Sequence, residues 1–261
     1  PDWWRFELGL KKKNYPLIVA HRGASMEAPE NTLPAYIKAW EQGVDAVELD
    51  VRETKDKRLI CIHDDSLARV SESEYAISQE TLASLKTVDV GIFRSKKFAN
   101  TKIPLLKEAF DCKPEKSKIF VEIKPSKISF GELNEMVETN VISKLNTHFL
   151  GFYPNVVEGL NKRFDIPATL SVIPAFFDYD YEKIRSLLEK SNSFGISQHM
   201  DSKKSMNLIK KFKDEGKYCI AWTVNNKKYM RDLIEIGVDA IITDNPKKLI
   251  KVIKEKKKWI N

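Results

Sequence analysis

A chain of 261 residues with a net charge of +7 and 42% hydrophobic side chains is long enough for one large domain or two small ones and too apolar to be disordered. Its pI near 9.1 favours anionic partners in general. The lysines are spread widely, however, and no helix-turn-helix, zinc-finger or RNA-binding pattern accompanies them, which sets nucleic acid aside.

No apolar run approaches the roughly 18 residues of a membrane helix, so no integral membrane segment is expected. The cysteines Cys61, Cys112 and Cys219 make no Cys-x-x-Cys and read as reduced thiols. The chain begins at Pro1 with no stretch that reads as a signal peptide. The expected compartment is the cytoplasm, or outside it if an N-terminal signal has been removed.

The aromatic cluster Trp3, Trp4 and Phe6 precedes the first strand and is expected to pack across the lower end of the fold. The first strand, Leu17–Ala20, ends in His21-Arg22-Gly23. A titratable imidazole and a fixed cation on a rigid strand end suit a phosphate substrate. Gly23 reads as the turn that lets the substrate approach. Asn31-Thr32 opens a helix over Leu33–Gln42 with a capping side chain.

The second strand, Ala46–Asp50, carries Glu48 and Asp50 two apart, hence on one face. The eight residues Val51–Arg58 are too few for a parallel crossover. The chain therefore returns as a hairpin that turns near Asp56 and brings His63 back beside Asp50. From about 65 to 104 neither periodicity fits. This reads as a small inserted lobe without a core of its own, placed over the active face.

Strands then follow at Lys118–Glu122, Phe149–Phe152, Ala168–Val172, Phe194–Ser197, Tyr218–Trp222 and Ala240–Ile242. They alternate with helices at Leu106–Cys112, Phe130–Leu145, Val156–Arg163, Tyr181–Lys190, Ser205–Glu215, Lys227–Ile236 and Pro246–Lys257. Eight strand–helix units predict an α/β fold: a TIM-type (β/α)8 barrel, one domain over 1–261, with the hairpin and lobe after strand 2. Gly43, Gly216 and Gly237 sit where helices need left-handed caps. No Gly-x-Gly-x-x-Gly or P-loop follows a strand, which argues against a nucleotide-binding sheet. The basic helix Lys247–Lys258 reads as the last barrel helix, with Leu249, Ile250 and Ile253 inward.

Barrel enzymes build their sites at strand C-terminal ends. Here those ends carry His21-Arg22, Glu48, Asp50, Glu122, Lys124, Trp222 and Asp244, with His63 added by the hairpin. Three carboxylates in one mouth repel one another. Either one divalent cation neutralises them, Mg²⁺, Ca²⁺ or Mn²⁺ rather than Zn²⁺ because every ligand is oxygen, or Arg22 and Lys124 balance them in an ion-pair cluster. His21 and His63 suit acid–base chemistry. His148 and His199 read as structural or surface groups. Arg22 and Lys124 suit an anionic oxygen, and Trp222 reads as either core or a substrate wall.

The ordered set His21-Arg22-Gly23, Pro29-Glu30-Asn31-Thr32, Glu48-Leu49-Asp50, Thr54-Lys55-Asp56, His63-Asp64, Glu122-Ile123-Lys124, Trp222-Thr223-Val224-Asn225 and Thr243-Asp244-Asn245-Pro246 resembles the glycerophosphodiester phosphodiesterase family. The resemblance runs from about residue 17 to 250. It implies a barrel with an inserted lobe, and hydrolysis of a small-molecule glycerophosphodiester to sn-glycerol 3-phosphate and an alcohol. It implies metal ligands at Glu48, Asp50 and Glu122, an acid–base pair at His21 and His63, phosphate contacts at Arg22 and Lys124, and an apolar wall at Trp222.

Two positions depart from the family pattern. Lys57 stands where members often carry glycine, which points to another shape for the hairpin tip. Gly151-Phe152-Tyr153 replaces a Ser-Phe-Asp or Ser-Phe-Asn. The alternatives are a lysophospholipase D-type activity, which needs an exposed apolar patch beside the rim, and a non-catalytic phosphate-binding barrel.

Overall fold

The structure is a computed structural model that describes residues 15–257. The Trp3, Trp4 and Phe6 expectation lies outside the described residues. Eight parallel strands close into a barrel: β1 (Leu17–His21), β2 (Ala46–Glu53), β4 (Lys118–Ile123), β5 (Thr147–Gly151), β6 (Ala168–Val172), β7 (Gly195–His199), β8 (Tyr218–Trp222) and β9 (Ala240–Thr243). Pairing of β1 with both β2 and β9 completes the ring, as in a TIM-type (β/α)8 fold. Between them run α1 (Leu33–Glu41), α2 (Leu82–Leu85), α3 (Leu106–Asp111), α4 (Gly131–Glu138), α5 (Pro154–Arg163), α6 (Tyr181–Lys190), α7 (Lys203–Asp214), α8 (Lys227–Ile236) and α9 (Pro246–Lys257). The short strand β3 (Leu59–Cys61) returns antiparallel on β2, with Val51 opposite Cys61 and Glu53 opposite Leu59.

The period of two along each strand divides the core. Ile18, Ala20, Val47, Leu49, Val121, Leu170, Ile196 and Ile241 pack outward in the layer shared with the helices. Leu17, Val19, Ala46, Phe120, Leu150, Ile220 and Ile242 form a separate cluster inside the barrel. Two residues further along the same inward rows stand His21, Glu48 and Glu122, with Asp50 beyond Glu48. The alternation that fills the lower barrel with hydrocarbon thus delivers polar groups to its mouth.

Several expectations need correction. The helix expected over Phe130–Leu145 stops at Glu138. Thr139 turns its hydroxyl back onto the Glu135 carbonyl, and Asn140 takes a left-handed φ of 59°, a helix-ending conformation that asparagine tolerates. The inserted lobe has an apolar cluster after all: Leu67, Val70, Ile77, Leu85, Val90 and Ile103 are buried with Ile60 and Ile62. Its elements are single turns, so its apolar residues follow neither helical nor strand spacing. Gly23 has a reason other than substrate approach. It sits at φ 82°, and an added Cβ would lie 2.7 Å from the Ala35 carbonyl carbon of α1.

Other expectations stand. Gly43, Gly216 and Gly237 take the left-handed conformation expected of them. The expected change of shape at the hairpin tip is not seen: Lys57 has positive φ, 65°, so lysine adopts the backbone that a glycine would take freely, at a cost of about 1–2 kcal/mol.

Candidate active site

Register sets the first layer of the mouth. His21 lies beside Glu48, and Asp50 beside Glu122. Glu48, Asp50 and Glu122 are buried, and each offers an oxygen within 4.8 Å of the others. Lys124 Nζ lies 3.2 Å from Asp50 Oδ1 and 2.5 Å from Glu122 Oε1. Arg22 Nε lies 3.1 Å from Asp50 Oδ2, and the Arg22 backbone N–H donates to Glu48 Oε2 at 2.9 Å. The two cations expected to meet an anionic oxygen are therefore also set among the acids.

Positive charge here falls short of negative charge, because Arg22 also pairs with Glu30 (NH1 to Oε1, 2.9 Å). Burial, reinforced by Asp50 beside it, pushes Glu48 well above the usual carboxylate range. Burial also raises Glu122, with Asp50 adding to it against the pull of Lys124. Burial would raise Asp50 too, but Lys124 and Arg22 hold it below its ordinary value. A cluster that cannot ionise fully without more positive charge, built only of carboxylate oxygens, fits a hard divalent cation.

The second layer belongs to the histidines. His21 Nδ1 lies 2.6 Å from Asp244 Oδ1, and His63 Nδ1 lies 2.7 Å from Asp64 Oδ1. A carboxylate partner makes each Nδ1 the N–H donor and leaves Nε2 for a second partner. Burial lowers the His21 pKa, but the Asp244 hydrogen bond and the Glu48 charge outweigh it, so His21 holds its proton above its ordinary range. Burial lowers His63 and prevails. The two imidazoles are thus pushed apart in proton affinity.

Asp244 and Asp64 stand in the quoted motifs, but the sequence reading assigns them no role. Their signal is proximity: Asp64 is adjacent to His63 in the chain, and Asp244 follows the strand paired with β1. Asn31 is a second revision. It does not cap α1, whose N-cap Thr32 makes no side-chain cap bond. Its Nδ2 donates to Asp50 Oδ2 at 2.7 Å, and its Oδ1 accepts the Asp50 backbone N–H at 3.1 Å.

Trp222, at the end of β8, is half-buried and packs edge-on to Phe152, with centroids 5.6 Å apart. Phe152 belongs to the departing Gly151-Phe152-Tyr153 stretch, and Lys124 Nζ lies 5.6 Å from its ring centroid. His199 lies 5.0 Å from Trp222, so this set-aside histidine is at the rim. His148 is structural as expected. It is buried in the barrel, stacked on Phe120 and Tyr218 at 5.0 and 5.2 Å, with Nε2 2.8 Å from Thr169 Oγ1.

Comparison with known proteins gives the family of the chain. The model of the glycerophosphoryl diester phosphodiesterase family matches residues 21–248. A glycerophosphodiester phosphodiesterase of Caldanaerobacter subterraneus subsp. tengcongensis is 30% identical over 254 residues, 92% of this chain and 98% of that protein. Among solved structures, an Oleispira antarctica phosphodiesterase in complex with the product sn-glycerol-3-phosphate superposes with a TM-score of 0.76 at 26% identity, covering 92% of this chain and 97% of the other. A Thermotoga maritima glycerophosphodiester phosphodiesterase gives a TM-score of 0.73 at 25% identity, over 90% and 98% of the two chains.

Proposed function

The chain belongs to the glycerophosphoryl diester phosphodiesterase family and is a phosphoric diester hydrolase, and from that premise we propose that it releases sn-glycerol 3-phosphate and an alcohol from small glycerophosphodiesters, with His21 and His63 as its acid–base pair. The observation that carries the reading is the pair of imidazoles, each tied at Nδ1 to a carboxylate, in a barrel mouth that also holds the Glu48, Asp50 and Glu122 cluster.

In this reading one imidazole takes the proton of the attacking oxygen as the new P–O bond forms. The other gives a proton to the departing alkoxide as the old P–O bond breaks. Their opposite displacements in proton affinity make His21 the readier holder of a proton and His63 the readier to stay neutral, an asymmetry that suits this exchange. Arg22 and Lys124 hold the remaining phosphate oxygens, and Trp222 with Phe152 forms an apolar wall. Glu48, Asp50 and Glu122 would hold one divalent cation. When bound, that ion supplies polarisation of the phosphoryl oxygens and offsets their charge.

The test is glycerol 3-phosphate release from glycerophosphocholine and glycerophosphoethanolamine, with and without chelator, for wild type, His21→Ala and His63→Ala. Loss of about 10²–10⁴-fold in each folded variant is expected. Full turnover in chelator would remove the metal from the reading, and full turnover in both variants would remove the histidines. A second reading, turnover of lysophospholipids, is favoured by the exposed Tyr153 and Phe176, which follow β5 and β6 on the same face of the barrel. Lysophosphatidylcholine in the same assay separates the two.

A further inference from the structure

The carboxylates that hold His63 and Arg22 share one further partner, and it comes from the inserted lobe. Arg69 Nε donates to Asp64 Oδ2 at 2.5 Å, NH1 to Glu30 Oε2 at 2.9 Å, and NH2 to Glu30 Oε1 at 2.7 Å. Asp64 uses its other oxygen for His63 Nδ1, and Glu30 Oε1 also accepts from Arg22 NH1 at 2.9 Å. One guanidinium therefore joins two chains of contacts: Arg69–Asp64–His63, and Arg69–Glu30–Arg22–Asp50. The fork suits this task because its N–H groups are fixed in a plane and meet one carboxylate with two bonds while the Nε edge meets another. The backbone that carries it is anchored on both sides. Leu67 and Val70 are buried in the lobe core, and the Val70 N–H donates to the Leu67 carbonyl.

We propose that Arg69 is a positioning residue for phosphodiester hydrolysis, fixing the His63 ring through Asp64 and the Arg22 guanidinium through Glu30, so that the seating of the lobe sets the geometry of the reacting groups. The roles of His63 and Arg22 rest on the function proposed above; the contacts do not. Without Arg69, Asp64 loses the partner that orients it, and the His63 ring is free to turn. Glu30 loses two of its three guanidinium bonds and draws harder on Arg22, away from the phosphate.

The experiment compares wild type with Arg69→Ala, Arg69→Lys and Lys86→Ala. Lys86 Nζ lies 2.6 Å from Glu108 Oε2 and ties the lobe to α3 without touching the site, so it reports on lobe attachment alone. Turnover is read as kcat and KM separately. The His63 ring nitrogens are read by ¹⁵N NMR, assigned with His63→Ala. Arg69→Ala is expected to lower kcat about 100-fold, the scale of a misplacement near 1 Å, and to raise KM. It should also change the His63 ring from a single Nδ1–H tautomer to a mixture. Arg69→Lys, which keeps the charge and loses the fork, recovers part of kcat. Lys86→Ala keeps wild-type kcat, KM and spectrum.

An unaltered His63 spectrum with wild-type kcat in Arg69→Ala overturns the proposal, as does an equal loss in Lys86→Ala. If Arg69→Ala does not fold, wild-type kcat and spectrum in Arg69→Lys overturn it equally. The NMR arm stands even if the chosen diesters are not turned over, which separates failure of this proposal from failure of the functional reading.

Discussion

Replacing Asp244 separates orientation of His21 from simple loss of charge, because asparagine and alanine should differ in an unusual order. Asp244 Oδ1 meets His21 Nδ1 at 2.6 Å, and Oδ2 accepts from Asn225 Nδ2 at 2.5 Å. Asn225 cannot turn over cheaply. Its Oδ1 accepts from Thr243 Oγ1 and from the Asp244 backbone N–H, both at 3.0 Å. In Asp244→Asn the new amide must therefore keep its oxygen toward Asn225 and present its NH₂ to His21. An amide donor facing Nδ1 disfavours the imidazolium and forces the neutral ring to carry its proton on Nε2. That ring can neither accept a proton at Nε2 nor exist comfortably as the acid, so the variant is impaired whichever half of the exchange His21 performs.

The magnitude follows in two parts. A hydrogen bond to a charged group contributes about 1.5–3 kcal/mol, and the Asp244 side chain is 32% exposed, which argues for the lower end. Asp244→Ala, in which the ring stays free to choose its tautomer, should lose roughly tenfold in kcat at ~1.36 kcal/mol per decade. Asp244→Asn adds the opposed donors, another ~1–3 kcal/mol, for a loss of about 100-fold or more. The assay is kcat for glycerol 3-phosphate release at saturating cation, with a melting curve for each variant. Asp244→Ala as impaired as Asp244→Asn, or an asparagine variant above half of wild-type kcat, refutes the orientation argument.

Three further outcomes are expected. An outer partner of a metal ligand is commonly worth about 10–100-fold in affinity, so Glu122→Gln should raise the divalent-cation concentration for half-maximal turnover at least that far; an unchanged titration of chelated enzyme would detach Glu122 from the metal. Burial pulls His148 down to about 3 against ~6.5 in an unfolded chain; the unfolded state binds the extra proton, so stability falls as pH drops below ~6.5, by ~2 kcal/mol between pH 6.5 and 5. His148→Phe, measured by urea unfolding at both pH values, should remove that difference and keep the stack. Gly23→Ala must displace the backbone of α1 rather than a side-chain tip, costing about 1–3 kcal/mol and lowering Tm by ~2–4 °C per kcal/mol; an unchanged melt would mean that the β1–α1 contact is loose.

What the sequence makes legible is what depends on strand alternation. Val47-Glu48-Leu49-Asp50 and Phe120-Val121-Glu122-Ile123-Lys124 declare their faces, because an apolar residue facing the helices forces its neighbour inward. The hairpin is legible from chain length alone, since eight residues cannot cross over, and this returns His63 to the mouth. The illegible parts depend on single turns and on partners distant in sequence.

The lobe hides its core because Leu67, Val70, Ile77, Leu85, Val90 and Ile103 ride on turns too short to impose a period. Asn31 reads as a cap because a polar residue before a helix usually is one. It is claimed instead by Asp50, where β2 runs past the closed layers of the barrel and leaves a backbone N–H and a carboxylate oxygen to be met by a side chain. An unmet buried donor costs about 1–3 kcal/mol, whereas the start of α1 asks little of a side-chain cap, since Pro34 has no N–H and the Ala35 and Tyr36 N–H groups donate to the Thr32 carbonyl. The larger of these two demands decides which way Asn31 points, and it arises only once β2 and β4 are side by side.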